Sequence, residues 1–320
     1  MSQSPKTAPA APGVVAEAPQ PLPLAGSKAG SFHRAEAWVV VAVIGAVDWM
    51  WARQTGLSIV AWTRFDLTFG LLVIIGSVYG YSGRDLRLAD AGNYAAMWVA
   101  FSTCGAILTY LAATPALPLR DAEFARIDAS LGFDWMAWYG VLHAHPRLHL
   151  ASLFVYNAML PEIVLSVVYF AHVRRSDRNA ELLWIAMVSL IITTAVSAIV
   201  PALGAAAYFH AFQPDYLSTL QVLRDGSVKV FSMNEPRGII QMPSYHTVIA
   251  ILIVYVHRPP MRTFKLATAI NIAMLLTVAP VGGHYFVDII GGAIVAAISI
   301  WFVRAAIVTE APHPEPAVQL

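Results

Sequence analysis

The stretch LLWIAMVSLIITTAVSAIVPALGAA at residues 182–206 decides the class of fold. A transmembrane helix needs about 20 consecutive apolar residues, and this stretch is longer than that and contains no Asp, Glu, Lys or Arg. The whole chain of 320 residues has the same character, being 58% hydrophobic and only 12% charged. Soluble domains carry roughly a quarter charged residues. The composition therefore predicts a polytopic membrane protein.

Eight apolar segments recur along the chain and predict an all-α bundle of about six to eight membrane spans. Between the third and fourth lies FDWMAWYGVLHAHPRLHL at residues 133–150. Its Trp and Tyr content, with charges alongside, predicts a helix that lies in the membrane interface. The eight segments cover residues 37–55, 65–82, 93–115, 150–172, 182–206, 239–257, 263–281 and 284–306.

The predicted membrane domain covers residues 34–308, between two predicted tails. Residues 1–33 are rich in Ala and Pro and have no hydrophobic period, so we expect a disordered tail, and residues 309–320 form the second tail. The net charge of +1 argues against a nucleic-acid partner, which needs a basic face. The lone cysteine, Cys104, excludes an intramolecular disulfide and a thiolate metal site.

Three short basic loops predict the orientation. They are SGRDLR (82–87), HVRRSDR (172–178) and HRPPMRTFK (257–265). With an even number of spans they share one side with both termini, and the positive-inside tendency makes that side cytoplasmic. The long loop at 207–238 then faces outward. In a bacterium this predicts an inner-membrane protein whose two histidine motifs face the outside.

The stretch GGHYFVDIIGGA at residues 282–293 places titratable groups at the start of an apolar segment. His284 and Asp288 are four residues apart, so on a helix their side chains share one face within hydrogen-bond reach. A carboxylate that accepts from one imidazole nitrogen fixes the tautomer and leaves the other nitrogen free as a nucleophile or base. The alternative is a purely structural pair across one helical turn.

Two glycine pairs flank this histidine and aspartate. Gly282 and Gly283 remove side chains just before the motif and so allow close backbone approach. Gly291 and Gly292 let a neighbouring helix pack tightly one turn further into the membrane.

The stretch MPSYHTVIAI at residues 242–251 has the signals of a second helix start at the same membrane face. Pro243 suits such a start, Ser244 can cap it, and His246 falls in the first turn. Free backbone N–H groups and the helix dipole favour anions there, so two such starts predict an oxyanion pocket.

The rival chemistry at this face is a metal site. Its candidate ligands are His143, His145 and His149, around Pro146 in the predicted outer loop. Nothing nearby supplies the usual orienting carboxylate. We therefore predict no metal ion and no other cofactor.

These motifs together resemble a known family. PSYHT at 243–247 and GGHYFVDIIGGA, with one helix and a short basic turn between them, are similar to the second and third signature motifs of the type-2 phosphatidic acid phosphatase superfamily. LRDAEFARIDASLGFDW (119–135) and LRDGSVKVFSMNEPRGIIQMPSYHT (223–247) resemble its bacterial branch grouped with fungal inositol phosphorylceramide synthases of the aureobasidin-resistance type. The resemblance covers about residues 93–306.

The resemblance implies membrane-embedded phosphoryl transfer through a phosphohistidine, with a lipid phosphate or phospholipid as substrate. By the match, His284 is the nucleophile and Asp288 is its orienting partner. His246 is the general acid for the leaving alcohol, and Ser244 contacts the phosphate.

The chain departs from the family pattern in its positive charges. Val278 stands where the third motif carries an Arg, Tyr245 replaces the Gly between Ser and His, and the Lys-x6-Arg-Pro first motif is absent. Phosphoryl transfer needs positive charge around the equatorial oxygens. Arg224 in the outer loop is the first candidate to supply it, ahead of Arg237 and Arg147.

The leading hypothesis is a lipid phosphohydrolase or phosphotransferase that works from the outer leaflet. Water and a hydroxyl group are alternative acceptors, so an inositolphosphotransferase-like transfer of a phospho-headgroup to a lipid hydroxyl remains open. Outside the enzyme class, a transporter or channel would use the histidines to gate or relay protons. The oligomeric state is left open.

Overall fold

The computed structural model describes residues 28–60, 62–234 and 236–308, and these residues are almost entirely helical. The predicted all-α membrane bundle is confirmed. The helices are α1 (Lys28–Thr55), α2 (Thr63–Ser82), α3 (Leu86–Ala113), α4 (Asp121–Ser130), α5 (Trp135–His143), α6 (Pro146–Tyr156), α7 (Met159–His172), α8 (Ser176–Ile199), α9 (Ala205–Tyr208), α10 (Tyr216–Asp225), α11 (Tyr245–Val256), α12 (Phe264–Gly282) and α13 (Phe286–Val308), and the strands are β1 (Ser58–Val60) and β2 (Val230–Ser232).

Six of the described helices are long and apolar enough to cross a membrane, namely α1, α2, α3, α8, α12 and α13. The bent pair α6–α7 makes a seventh if it counts as one span. Helix α11 is apolar but has only 12 residues. It therefore reaches about 18 Å, which is less than the hydrocarbon thickness of about 30 Å. The sequence predicted an apolar segment over 239–257, but its helix begins only at Tyr245.

The fourth apolar segment was predicted as a continuous stretch over 150–172 and is broken near Asn157. Helices α6 and α7 meet there at an angle of 46°. Pro161 lies four residues after Asn157, and a proline ring clashes with the carbonyl of the residue four positions before it. The bend is therefore fixed by Pro161.

The predicted interfacial helix over 133–150 is likewise two helices. Helix α5 ends at His143, and α6 begins at Pro146, which occupies the first turn. The residue before a proline is disfavoured in helical conformation, so His145 separates the two. At the N-terminus, α1 begins at Lys28, inside the stretch predicted as a tail. The rest of that tail, 1–27, and the tail at 309–320 lie outside the described residues.

The core of the bundle forms where α3, α8 and α11 meet. Fully buried side chains from these helices include Met97, Leu183, Met187, Ile249 and Leu252. Helix α2 lies at the edge and crosses α3 closely, because a Cβ on Gly92 would stand 2.7 Å from the backbone nitrogen of Gly76. The edge helix therefore depends on that glycine contact.

Strands β1 and β2 form a short parallel pair at the end of the bundle that also carries α10. The pairing aligns Ser58 with Val230 and Val60 with Ser232. Phe231 of β2 is buried and packs edge-on against Tyr110 of α3, with ring centroids 5.8 Å apart. This pair connects the α1–α2 turn to the loop that leads to α11.

Candidate active site

His284 lies in the turn between α12 and α13, just before α13 begins at Phe286. The sequence predicted that His284 and Asp288 share a helix, whereas only Asp288 is helical. The turn is made by Gly283, which ends α12 with a φ of 73°. A Cβ on Gly283 would lie 2.9 Å from the Cβ of Ala206, so the close approach predicted for this glycine is confirmed.

The imidazole of His284 is held at Nδ1 by two acceptors. Nδ1 lies 3.0 Å from the main-chain oxygen of Gln241 and 3.4 Å from Oδ2 of Asp288. A carbonyl oxygen can only accept, so Nδ1 carries the proton and Nε2 keeps its lone pair. The closer partner is therefore a backbone carbonyl, which no side-chain motif could reveal.

His284 is only 3% exposed. Because the charged imidazolium loses its hydration there, burial lowers the pKa of His284 to about 4. At neutral pH the ring is uncharged, which is the state that a nitrogen nucleophile requires.

Asp288 also caps the first turn of α13. Its Oδ2 accepts from the amide of Tyr285 at 2.9 Å, as the acidic residue of a capping box does. The main-chain oxygen of Asp288 accepts from the amide of Ser244 at 3.0 Å, which joins the two histidine motifs. Its Oδ1 is buried and has no hydrogen-bond partner within the described part of the chain. Asp288 thus fixes both the histidine turn and the start of the helix.

Asp128 of α4 caps the same helix from far away in the sequence. Its two carboxylate oxygens accept from the amides of Phe286 at 2.7 Å and Val287 at 2.9 Å. Burial raises the pKa of Asp128, and these two bonds offset part of the rise. The amides at the start of α13 are therefore already paired with carboxylates. The prediction that they form an oxyanion pocket is wrong.

Asp121, at the start of α4, supports the same turn from the other side. It accepts from the Tyr285 hydroxyl at 3.0 Å and from the amides of Leu203 and Gly204, also at 3.0 Å. The indole of Trp135 donates to the main-chain oxygen of His284 at 3.0 Å. Asp121, Asp128 and Trp135 all lie in the stretch 119–135. Its resemblance to the family did not indicate a role for any of these three side chains.

The second motif begins α11 as predicted. Ser244 is the N-cap, and its hydroxyl oxygen accepts from the amide of Thr247 at 3.4 Å. Helix α13 crosses this start closely, since a Cβ on Gly292 would lie 2.5 Å from the main-chain oxygen of Ser244. The tight crossing predicted for the second glycine pair is confirmed. The amides of Tyr245 and His246 donate to no acceptor within the described residues.

The side chain of Tyr156, the last residue of α6, holds His246. The two rings stack with centroids 4.1 Å apart, and the Tyr156 hydroxyl lies 3.3 Å from Nδ1. A Cβ on Gly282 would stand 2.7 Å from that hydroxyl and 2.9 Å from Cδ2 of His284. The Tyr156 hydroxyl that contacts His246 therefore lies close to the His284 ring, on the side of Gly282 where a side chain is missing. Tyr156 belongs to no recognisable motif, so its place beside His246 could not be predicted.

The geometry joins a neutral histidine, its acceptors and a second histidine at one membrane face. A family model described as the PAP2 superfamily matches residues 122–302, which is more than half of the chain and includes both motifs and most of α4. The chain belongs to the PAP2 superfamily. Membership in this superfamily indicates phosphatase or phosphotransferase activity on phosphorylated substrates. No curated protein and no solved structure matches the chain.

A PAP2 site must balance the charge of a phosphoryl group, and the arginines predicted to supply that charge contact other groups or are exposed. Arg224 donates to the main-chain oxygen of Leu117 at 2.7 Å and interacts at longer range with Asp121. Arg237 pairs with Asp215 at 2.9 Å. Arg147 is exposed at the start of α6. Phosphate binding by Arg224 stays a prediction.

The histidines of the rival metal site are only partly brought together. The rings of His143 and His149 lie 4.8 Å apart, and Nε2 of His143 is 3.0 Å from the Tyr139 hydroxyl. His145 turns to the main-chain oxygen of Val141 at 2.8 Å. The described part of the chain contains no group of three or more His, Cys, Asp or Glu that could hold a metal ion.

Proposed function

We propose that this PAP2 superfamily protein is an integral-membrane phosphohydrolase or phosphotransferase that acts on lipid phosphates through a phosphohistidine at His284. The observation that carries the proposal is the buried, neutral His284, whose Nδ1 proton is held by Gln241 and Asp288. This arrangement leaves Nε2 as the free nitrogen beside His246. This arrangement is expected if His284 is the nucleophile and His246 is the general acid.

The first step forms one bond and breaks one. Nε2 of His284 attacks phosphorus, and the bond from phosphorus to the alcohol oxygen breaks. Burial lowers the pKa of His246 to about 3, and the negative charge of the bound phosphate raises it again, so His246 takes up a proton when substrate binds. It gives this proton to the alcohol oxygen, and the alcohol leaves neutral. Asp288 and the Gln241 carbonyl stabilise the positive ring of the phosphohistidine, because both accept from Nδ1.

The second step reverses the roles. Neutral His246 takes a proton from water or from an alcohol, and the resulting oxygen attacks phosphorus. The bond between phosphorus and Nε2 breaks, which returns His284 to its neutral form. Hydrolysis and transfer therefore differ only in the group that enters beside His246.

For the phosphate oxygens, we propose the start of α11. Ser244 is fully buried at this N-cap, and the amides of Tyr245 and His246 follow it. Backbone N–H groups at a helix start favour an anion. Arg224 is the proposed source of further positive charge. All charge at the site is then organic, so we expect activity to survive EDTA, and loss of activity that a divalent ion restores would contradict this.

The second candidate within the enzyme class is transfer of a phospho-headgroup to a lipid hydroxyl, as in inositol phosphorylceramide synthases. The stretches 119–135 and 223–247 favour it through their resemblance. The first of these stretches also supplies Asp121, Asp128 and Trp135 to the histidine turn.

A transporter or channel is the competing class outside enzymes. A transporter built on inverted repeats carries broken helices in corresponding positions of two related halves. Among the described residues one bent pair occurs, α6–α7, and Pro161 accounts for it. The enzyme is therefore the better supported proposal.

The decisive experiment is product analysis with purified protein. Lipid phosphates labelled with ³²P are incubated with and without inositol or other alcohols. We expect a labelled protein intermediate that is stable to alkali and labile to acid, as a phosphohistidine is, and its absence from His284→Ala. Free phosphate indicates hydrolysis, and a labelled alcohol indicates transfer. Turnover with no labelled protein, or labelling that persists in His284→Ala, would contradict the mechanism.

We also propose that the site faces outward from a bacterial inner membrane. The basic loops at 172–178 and 257–265 lie at the opposite ends of the helices from both histidines, which supports this orientation. In a Cys104→Ser background, Ser227→Cys should react with an impermeant thiol reagent added to intact cells. Arg262→Cys should react only after lysis. The reverse pattern would place the site in the cytoplasm.

A further inference from the structure

A cavity of about 270 Å³ lies between α5, α6 and α12, next to the candidate active site. Its walls are almost entirely apolar. Thr277 is one of its few polar neighbours, and its hydroxyl donates to the main-chain oxygen of Met274 at 2.7 Å. The cavity thus offers little to hydrogen-bond a polar ligand. The larger lining side chains are Trp138, Val141, Leu142, Leu148, Val155 and Leu276.

One end of the cavity reaches the neighbours of the two histidines. Val155 lines it and directly precedes Tyr156, which holds His246. Pro280 lines it from α12, two residues before Gly282. The lining continues along α12 to Ala273, about two turns or roughly 10 Å further from the site. The cavity therefore begins beside Tyr156 and two residues before Gly282, and it runs along the membrane-spanning helix α12.

The other side of the cavity opens to the surface that the bilayer covers. Leu276 on α12 is 58% exposed, and Leu148 on α6 is 50% exposed. Helix α5 closes the outer side, because the indole of Trp138 donates to the main-chain oxygen of Leu276 at 3.2 Å. A hydrocarbon chain can enter from the membrane without crossing water, whereas a polar ligand would lose its hydration there.

We propose that this cavity binds an acyl chain of the lipid whose phosphate is transferred at His284. The inference rests on the proposed function and narrows its substrate to phosphates that carry a long hydrocarbon chain close to the phosphoryl group. The chain lies along α12 between α5 and α6. Preference for such lipids over short phosphate esters then comes from this cavity.

The test compares a variant that fills the cavity with a variant that carries the same substitution outside the cavity. Ala273→Trp places an indole in the cavity, whereas Ala269→Trp places one on the exposed face of the same helix one turn earlier. Turnover of dioleoyl phosphatidic acid and of p-nitrophenyl phosphate is measured for both. We expect the ratio of long-chain to short-ester turnover to fall at least about tenfold in Ala273→Trp and by less than about twofold in Ala269→Trp. Equal ratios in the two variants would overturn the proposal.

A labelling experiment in His284→Ala gives a readout that needs no turnover. The probe is phosphatidic acid with a diazirine at the end of one acyl chain, in detergent–lipid micelles. We expect photolabelled peptides from 138–155 and 273–280, and loss of this label when Ala273→Trp is added. Labelling confined to other helices would overturn the proposal that this cavity binds the acyl chain. If the native protein turns over neither substrate, the proposed function fails, and the labelling still decides the binding site.

Discussion

The two histidine motifs differ in how firmly each imidazole is held. Nδ1 of His284 faces two acceptors, Gln241 and Asp288, and its backbone is fixed by Trp135. Among the described residues, the side chain of His246 has one polar partner, the Tyr156 hydroxyl at 3.3 Å, and it stacks on the ring of that tyrosine. A nucleophile must present one nitrogen in one tautomer, whereas a general acid must take up and release a proton at each turnover. The difference in constraint therefore matches the difference in proposed role.

The largest effect on turnover should come from removing the imidazole of His284, which is the more firmly held ring. His284→Ala is expected to lower turnover by about 10⁴-fold or more, because no intermediate can form without Nε2. Membrane insertion and the thermal transition of the purified protein serve as controls for folding. Native-like turnover in this variant would break the assignment of the two roles.

Removing the less firmly held imidazole of His246 should have a smaller effect on the rate, and this effect should depend on the substrate. His246→Ala is expected to slow turnover of an alkyl phosphate by about 10²- to 10⁴-fold, which is the range of a lost general acid. With p-nitrophenyl phosphate the loss in the rate of phosphoenzyme formation should be much smaller, because nitrophenolate leaves without a proton. Equal losses in the rate of phosphoenzyme formation with both esters would show that His246 is not the acid.

The next effect concerns the network that holds the His284 turn. Asp128→Ala leaves the amides of Phe286 and Val287 without their acceptor, so we expect a loss of about 1–2 kcal/mol in stability and roughly tenfold in activity. The matched control is Asp85→Ala, which removes the cap of α3. It should lower the thermal transition without a comparable loss of activity. Equal losses of activity would mean that Asp128 only stabilises the fold.

The smallest effect should be the response of His284 to mild acid. Burial lowers its pKa from about 6.5 to about 4, so the ring stays neutral down to about pH 5. In His246→Ala with p-nitrophenyl phosphate, phosphoenzyme formation should be nearly level from pH 7 to 5 and fall near pH 4. A fall centred near pH 6.5 would contradict this. Between about pH 6.5 and about pH 4, His284 binds a proton in the unfolded chain but not in the folded protein. The contribution of His284 to the free energy of unfolding therefore decreases as the pH falls through this range.

Local pattern was enough to predict the bundle and both motifs. Long uncharged runs predict the membrane spans. The N-cap at Ser244 and the glycine pairs could also be predicted, because each depends on residues within one or two helical turns, and the structure confirms both. The acceptors of His284 and α13 could not be predicted in the same way. Gln241 acts through a backbone oxygen, and Asp128 reaches its amides across 158 residues of sequence. Such contacts depend on how helices pack, which periodicity does not record.

The breaks in the helices were missed for a related reason. Pro161 and Pro146 are visible in the sequence, but hydrophobicity alone does not distinguish a bent pair from a straight span. The bend after Tyr156 matters, because this residue ends α6 and there meets His246. The site therefore depends on an irregularity within an apolar segment.

The pairing of β1 with β2 places a constraint on how this chain can diverge. The family match begins at residue 122, yet β1 belongs to the preceding α1–α2 connection and is in register with residues 230–232. A shift of one residue in a strand exchanges its two faces, so a single insertion within β2 would turn Phe231 out of its buried position. A chain that keeps the segment leading to His246 in place must therefore keep this strand register, although half of the pair lies outside the family match.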